Sequence, residues 1–260
     1  MIKSNHYLIV GGSTGMGFSA ASALIKQGAK VMIIGRNAQT VEQAQQSLGA
    51  NCIGFVGDAC LAETTEQAIE HLHQVWGRID GLYHVAGGSG RSFGDGPLHQ
   101  MSIEGWNKTF ELNLTSMMLS NRAMIRYFLK HGIRGKILNM GSVLGFSPSP
   151  EYFTTHAYAA TKSAIIGFSK SIAAHYAKEG IQVNVVAPAL VETPMAKRAK
   201  EDEQIQDFIK TKQPLEGGRM GLASDLDQAV LMFLSSENNF MTGQVLAVDG
   251  GWCLSEGQLK

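Results

Sequence analysis

Tyr158 and Lys162 stand four residues apart in Tyr158-Ala159-Ala160-Thr161-Lys162. On a helix this spacing puts both on one face, with Cβ atoms about 5–6 Å apart. A free phenol has a pKa of about 10, too high for proton exchange at neutral pH. A neighbouring cation favours the phenolate and lowers that value. A phenol tuned in this way can protonate a carbonyl as hydride arrives, or take the proton from an alcohol in reverse. Taken alone, the pair also reads as a surface Tyr and Lys. Ser142 adds a third group. It lies 16 residues earlier, just past an apolar run, in Asn139-Met140-Gly141-Ser142-Val143. Ligands sit at the carboxyl ends of strands in open α/β sheets, where a Ser hydroxyl can hold a substrate oxygen.

A second constellation is Val10-Gly11-Gly12-Ser13-Thr14-Gly15-Met16-Gly17, between an apolar run and a helical stretch. A turn there aims backbone N–H groups and a positive helix end at one spot, which suits a phosphate. Glycines permit the tight turn and the close approach of a pyrophosphate. The same residues match G-x-S-x-G, the nucleophile elbow of hydrolases. That chemistry needs a His late in the chain, and no His follows His175. It would also put the elbow on the first strand, with no earlier strand to supply an oxyanion hole.

In dinucleotide folds a carboxylate at the end of the second strand holds the ribose 2′-hydroxyl of NAD. Here that strand ends Ile33-Ile34-Gly35-Arg36-Asn37, with an Arg and no carboxylate. A guanidinium matches a 2′-phosphate, and Gly35 adds neither repulsion nor bulk. NADP(H) is therefore expected over NAD(H). The alternative is that Arg36 merely stacks on an adenine.

These residues need elements to hold them. Short apolar runs at 7–10, 31–34, 52–56, 82–86, 136–140, 183–187 and 245–248 read as strands buried on both faces. Helical stretches at 16–27, 40–48, 63–75, 102–131, 158–178 and 224–234 alternate with them. The rhythm implies an α/β fold: a doubly wound parallel sheet of about seven strands flanked by helices, in one domain over 1–260. Residues 191–218 break the rhythm. Their charge run, Lys197-Arg198-Ala199-Lys200-Glu201-Asp202-Glu203, reads as a solvated helix face or as a mobile flap over a site.

Composition narrows the function classes. Lys+Arg and Asp+Glu number 22 each, so no basic excess favours nucleic acid as a partner. Cys52, Cys60 and Cys253 form no metal-ligand spacing, and His71 and His73 do not share a helical face. No metal site is expected. The absence of a signal-peptide layout or a membrane-length apolar run points to a cytoplasmic protein.

In their order along the chain, these motifs resemble the short-chain dehydrogenase/reductase family, single-domain Rossmann-fold oxidoreductases that use NAD(P)(H). The likeness runs from Tyr7 to Trp252. Gly11, Gly15 and Gly17 match the glycine motif. Asp58 matches an adenine contact, and Ala86-Gly87 match half of an Asn-Asn-Ala-Gly motif. Pro188 and Thr193 match the segment that positions the nicotinamide, and Asp249-Gly250-Gly251 match a C-terminal signature.

The resemblance implies cofactor contacts from Gly11, Ser13, Thr14, Gly15, Met16 and Gly17. It implies further contacts from Arg36, Asp58, Ala59, Ala86 and Gly87, and from Tyr158, Lys162, Pro188, Val191 and Thr193. It implies a catalytic set of Asn113, Ser142, Tyr158 and Lys162. Tyr158 would be the acid/base and Ser142 the oxygen anchor. Lys162 would bind the ribose hydroxyls and lower the phenol's pKa, and Asn113 would support a proton relay. The substrate would be a small carbonyl or secondary alcohol, with a 3-oxoacyl chain as one candidate. Its pocket would be lined by residues 89–93, 144–146, 153–155 and the flap, with Arg91 facing either an anionic group or solvent. The assembly would be a homotetramer or dimer. His84-Val85 depart from the family's Asn pair, with His84 expected to support the strand end. A non-catalytic NADP-binding sensor or structural protein is the alternative function.

Overall fold

Apolar runs rich in β-branched residues and Leu, buried on both faces, build the centre of the molecule. The structure, a computed structural model, describes residues 5–258. Its strands are β1 (His6–Val10), β2 (Lys30–Gly35), β3 (Cys52–Val56), β4 (Gly81–His84), β5 (Lys136–Met140), β6 (Gln182–Pro188) and β7 (Val245–Val248). All pair in parallel, in the order β3-β2-β1-β4-β5-β6-β7. This is the doubly wound Rossmann-type sheet expected above.

Alternate residues face opposite layers. Tyr7, Ile9, Val31, Ile33 and Leu138 pack under α1 (Gly15–Lys26) and under α9 (Asp227–Leu234, the last helix of the chain). Leu8, Val10, Met32, Leu82, Ile137 and Val183 pack under α3 (Ala62–Trp76) and α5 (Ser116–His131). α2 (Ala38–Leu48) covers the β2–β3 edge. Strand order reverses between β1 and β4, which pair Val10 with His84. Past that pair the sheet opens a crevice at its carboxyl edge, the usual ligand position in such folds.

Several expected elements differ, among them the last helix, where 224–234 is a 3-10 turn (Ala223–Leu226) followed by α9, and α2, which starts two residues early. The helix expected over 102–131 is α4 (Ile103–Phe110), a π-helical turn at Glu111–Thr115, and α5. A π turn inserts an extra residue per turn and is frequent at functional sites. The strand expected over 82–86 ends at His84, because the N–H groups of Val85 and Ala86 both donate to Val10 O at 2.9 Å and draw the chain off the sheet. α6 (His156–Tyr176) starts two residues earlier than expected.

Residues 191–218 hold two short 3-10 turns, Pro194–Ala196 and Leu215–Gly217, with α7 (Lys197–Glu201) and α8 (Glu203–Lys212) between them. Asp202 caps α8, accepting from the backbone N–H of Gln204 and Ile205 at 3.1 and 3.2 Å. The solvated-face reading holds only for the charges. Ala199, Ile205, Phe208 and Ile209 are buried against Val143, Met220 and Trp252, forming a separate apolar cluster beside the crevice.

Candidate active site

The glycine turn leaves β1 and enters α1 under two backbone anchors. The N–H groups of Gly11 and Gly12 donate to Ile34 O at 2.9 and 3.1 Å. Space requires Gly at two positions. A Cβ on Gly11, where φ is +88°, would lie 2.7 Å from Ala86 N, and one on Gly17 would lie 2.1 Å from Gly11 O. Thr14 precedes α1 without a side-chain cap, and the first turn of α1 carries no acidic residue. Its N–H groups thus face the crevice without an anion from the protein, a fit for the pyrophosphate of a dinucleotide.

A cleft of about 350 Å³ runs along this turn. Gly11, Ser13, Thr14, Gly15 and Met16 line one side, and Arg36, Asp58, Ala59, Ala86, Gly87 and Thr193 complete it. Gly17 lines neither this cleft nor its neighbour, because it lies behind the turn and packs on Gly11. Arg36 is exposed and lines both this cleft and the neighbouring cavity. Gly35 serves packing as well as charge, since a Cβ there would lie 2.5 Å from Ser13 Oγ and 2.8 Å from Val41 Cγ2.

The cleft opens into a cavity of about 620 Å³ that holds Asn113, Ser142, Tyr158, Lys162, Pro188 and Val191. Ser142 follows β5, and its Oγ accepts from Leu144 N at 3.2 Å. Tyr158 and Lys162 lie on α6, with Lys162 Nζ 5.3 Å from the Tyr158 ring centroid. Lys162 is buried and donates to Met140 O at 3.0 Å, which ties α6 to the end of β5. The expected group thus comes together from the π-helical turn, the end of β5 and α6.

The electrostatics depart from expectation. Burial pushes the Tyr158 phenol up to about 12, against a lowering by its hydrogen bond with Ser142. Burial also pushes Lys162 down to about 7. Desolvation disfavours both charged forms here, so the protein's own groups hold the phenol protonated instead of lowering its pKa.

Asn113 sits fully buried on the π turn. Its Nδ2 donates to Gly88 O at 2.8 Å and Thr109 O at 2.9 Å, and its Oδ1 accepts from Gly88 N at 3.2 Å. One amide hydrogen and Oδ1 therefore hold the loop after β4 at Gly88, and the other hydrogen ties the side chain back to α4. His84 supports the same strand end, as expected. Its Nδ1 lies 2.8 Å from Ser120 Oγ and its Nε2 3.1 Å from Ala86 O.

Sequence reasoning missed Asp95. It is buried, and its two carboxylate oxygens accept from the N–H groups of Ala157 and Tyr158, both at 3.0 Å. The local cap of α6, Thr155, makes no side-chain bond. Asp95 therefore caps this helix from a loop 62 residues away and fixes the backbone of Tyr158. A carboxylate between Gly94 and Gly96 carried no local periodicity to mark it. Among the described residues no helix is long and apolar enough to cross a membrane, and no cluster of His, Cys, Asp and Glu could hold a metal.

Comparison with known proteins places this geometry. A family model described as enoyl-(acyl carrier protein) reductase matches residues 10–253. The 3-oxoacyl-[acyl-carrier-protein] reductase FabG of Salmonella typhimurium is 34% identical over 244 residues, covering 94% of this chain and 95% of the relative. The solved short-chain dehydrogenase/reductase of Mycobacterium ulcerans superposes with a TM-score of 0.89 at 30% identity, over 98% of this chain and 92% of that one. ElxO, solved with NADP bound, superposes with a TM-score of 0.85 at 28% identity, over 96% of this chain and 98% of that one. The chain belongs to the short-chain dehydrogenase/reductase family, NAD(P)-dependent oxidoreductases that act on carbonyl and CH–OH groups.

Proposed function

We propose that the chain reduces a ketone with NADPH, with Tyr158 giving the proton. The observation that carries this is the convergence of Ser142, Tyr158 and Lys162 on one cavity that opens into the glycine cleft. The bound nicotinamide supplies the hydride. The glycine turn and the start of α1 hold the pyrophosphate. Asp58 and Ala59 meet the adenine. Arg36 meets the 2′-phosphate, and Ala86, Gly87, Pro188, Val191 and Thr193 flank the nicotinamide half. ElxO, with NADP bound, is a relative that fits this preference.

Ser142 Oγ holds the substrate oxygen and Tyr158 Oη protonates it. With its pKa pushed up by burial, Tyr158 holds its proton at neutral pH, and the Lys162 cation beside the ring eases its transfer to the substrate oxygen as hydride arrives. Lys162 reaches the ribose hydroxyls and, when protonated, stabilises the phenolate left after transfer. Asn113 supports the relay by holding the loop at Gly88. Residues 191–218 form the flap of a single domain, with α8 anchored by its apolar face and α7 at the cavity mouth. The 3-oxoacyl name of the Salmonella relative makes a β-keto substrate one candidate. The family resemblance supports a homotetramer or dimer in the cytoplasm, and exposed Ile103, Trp106 and Leu129 on α4 and α5 suit contact between copies.

The test is oxidation of NADPH and of NADH with a panel of ketones, beside binding of each cofactor. Faster turnover with NADPH is expected. Binding of both cofactors with no ketone reduced would favour the sensor reading.

A further inference from the structure

The cavity in front of Tyr158 has charge of one sign. Its lining includes Arg36, Arg91, Lys108, Lys162 and Arg198, and no carboxylate. The whole chain is formally neutral, so this bias is local. Three of the five cations have other tasks. Lys108 is 2.9 Å from Glu111, Arg36 stands at the cofactor end, and Lys162 is buried beside Tyr158. Arg91 and Arg198 remain.

These two come from different segments. Arg91 opens the short 3-10 turn Arg91–Phe93 after β4, and Arg198 lies on α7. Their guanidiniums meet at one atom, with Nη2 of each donating to Tyr152 O, at 3.4 Å from Arg91 and 3.0 Å from Arg198. No ion pair holds either one among the described residues. The nearby Asp95 has both oxygens on the N–H groups of α6. Burial and the charge of Arg198 lower the Arg91 pKa against the pull of Asp95. One neutral carbonyl shared by two forks leaves most of their N–H donors free for an anion. Phe93, Leu144, Phe153, Met195 and Trp252 line the space between the forks and Tyr158 as an apolar wall.

We propose that Arg91 and Arg198 clamp a carboxylate or sulfonate at the end of the substrate remote from its reacting carbonyl. The clamp rests on the carbonyl-reduction reading for its substrate, and it makes the enzyme select acidic ketones with an apolar middle. The flap completes the site, because α7 carries one of its two arms.

The test uses the full chain and a homologous series of methyl ketones. Each member ends in a carboxylate or a sulfonate and is compared with its neutral methyl ester or methyl sulfone. Both arginines keep contact with solvent, so the gain lies at the low end of that for charge-assisted bonds, about tenfold in kcat/KM for the acid over its ester. Arg91→Gln and Arg198→Gln should each remove most of that gain through KM. Neutral ketones and the KM for NADPH should stay within about twofold. Lysine at either position should restore part of the preference, and an unchanged Tm confirms folding.

Calorimetric titration with analogues whose carbonyl is replaced by methylene reads the clamp without turnover. If those anions bind with the same arginine dependence while no ketone is reduced, the clamp stands and the carbonyl reading falls. If acid and ester are reduced equally well, the clamp is overturned and the carbonyl reading survives. Loss of NADPH affinity in the variants, with substrate preference intact, would give the arginines to the cofactor and also overturn the clamp. The better of the carboxylate and sulfonate arms names the anion.

Discussion

His84→Asn should flatten the acid side of the stability profile. His84 is wholly buried, and burial together with the charge of Lys162 pushes its pKa down to about 3. Ala86 O can only accept, so the proton belongs on Nε2, and Nδ1 takes the hydroxyl of Ser120. A second proton would turn the Ser120 hydroxyl to Met117 O, 3.0 Å away, and bury a cation that the charge of Lys162 opposes. The unfolded imidazole titrates near 6.5. The folded value is depressed, so unfolding takes up a proton below that pH. The stability gained by keeping His84 neutral is complete above about 6.5 and drains away as the pH falls towards 3. Each pH unit in that window costs up to about 1.4 kcal/mol. Between about pH 6.5 and 5 the parent should lose roughly 2 kcal/mol that an amide, which cannot titrate, does not lose. Urea unfolding of both proteins across that range, at equal m-values, measures the difference and removes the common carboxylate contribution. Parallel loss of stability in the two proteins would refute the buried neutral imidazole.

Asp95→Ala should cost about 1–2 kcal/mol, the scale of a lost helix cap. It should also lower kcat more than it raises the KM for NADPH, because α6 would lose the bonds that hold the Tyr158 backbone. Asp95→Asn keeps one acceptor and should recover part of the rate; stability and kinetics measured on the same samples check both. Arg36→Leu alone should cut the preference for NADPH over NADH by about one decade, the low end for an exposed charge-assisted contact. An added carboxylate at Gly35 is not a clean way to reverse the preference, since any Cβ there meets Ser13 and Val41. Equal kcat/KM ratios before and after Arg36→Leu, at fixed ionic strength, would show that Arg36 only stacks on adenine.

Local patterns were legible in the sequence where one short segment carries its whole geometry. The glycine turn, the Tyr158–Lys162 pair and the apolar strands are of this kind, each fixed by steric freedom or by helix and strand period. Contacts between distant segments were not. Asp95 acts on α6 across the fold, and the π turn at Asn113 interrupts a stretch whose composition reads as plain helix. Residues 191–218 were half legible. Ile205, Phe208 and Ile209 show the i, i+3, i+4 stripe that anchors α8, but the flanking charge run left a solvated face and a flap equally open. The direction of the Tyr158 shift was misjudged for a physical reason. Spacing shows a neighbouring cation, while desolvation depends on what covers the pair.

Tyr158→Phe tests the proton-donor assignment most directly, because the ring and its packing stay and only the hydroxyl goes. The measurement is kcat for ketone reduction at saturating NADPH, beside the Kd for NADPH. Tyr158 as the acid predicts a loss of about 10²–10⁴-fold in kcat, with Kd changed far less, because every other implied cofactor contact stays in place. Near-parental turnover by the phenylalanine variant would contradict it.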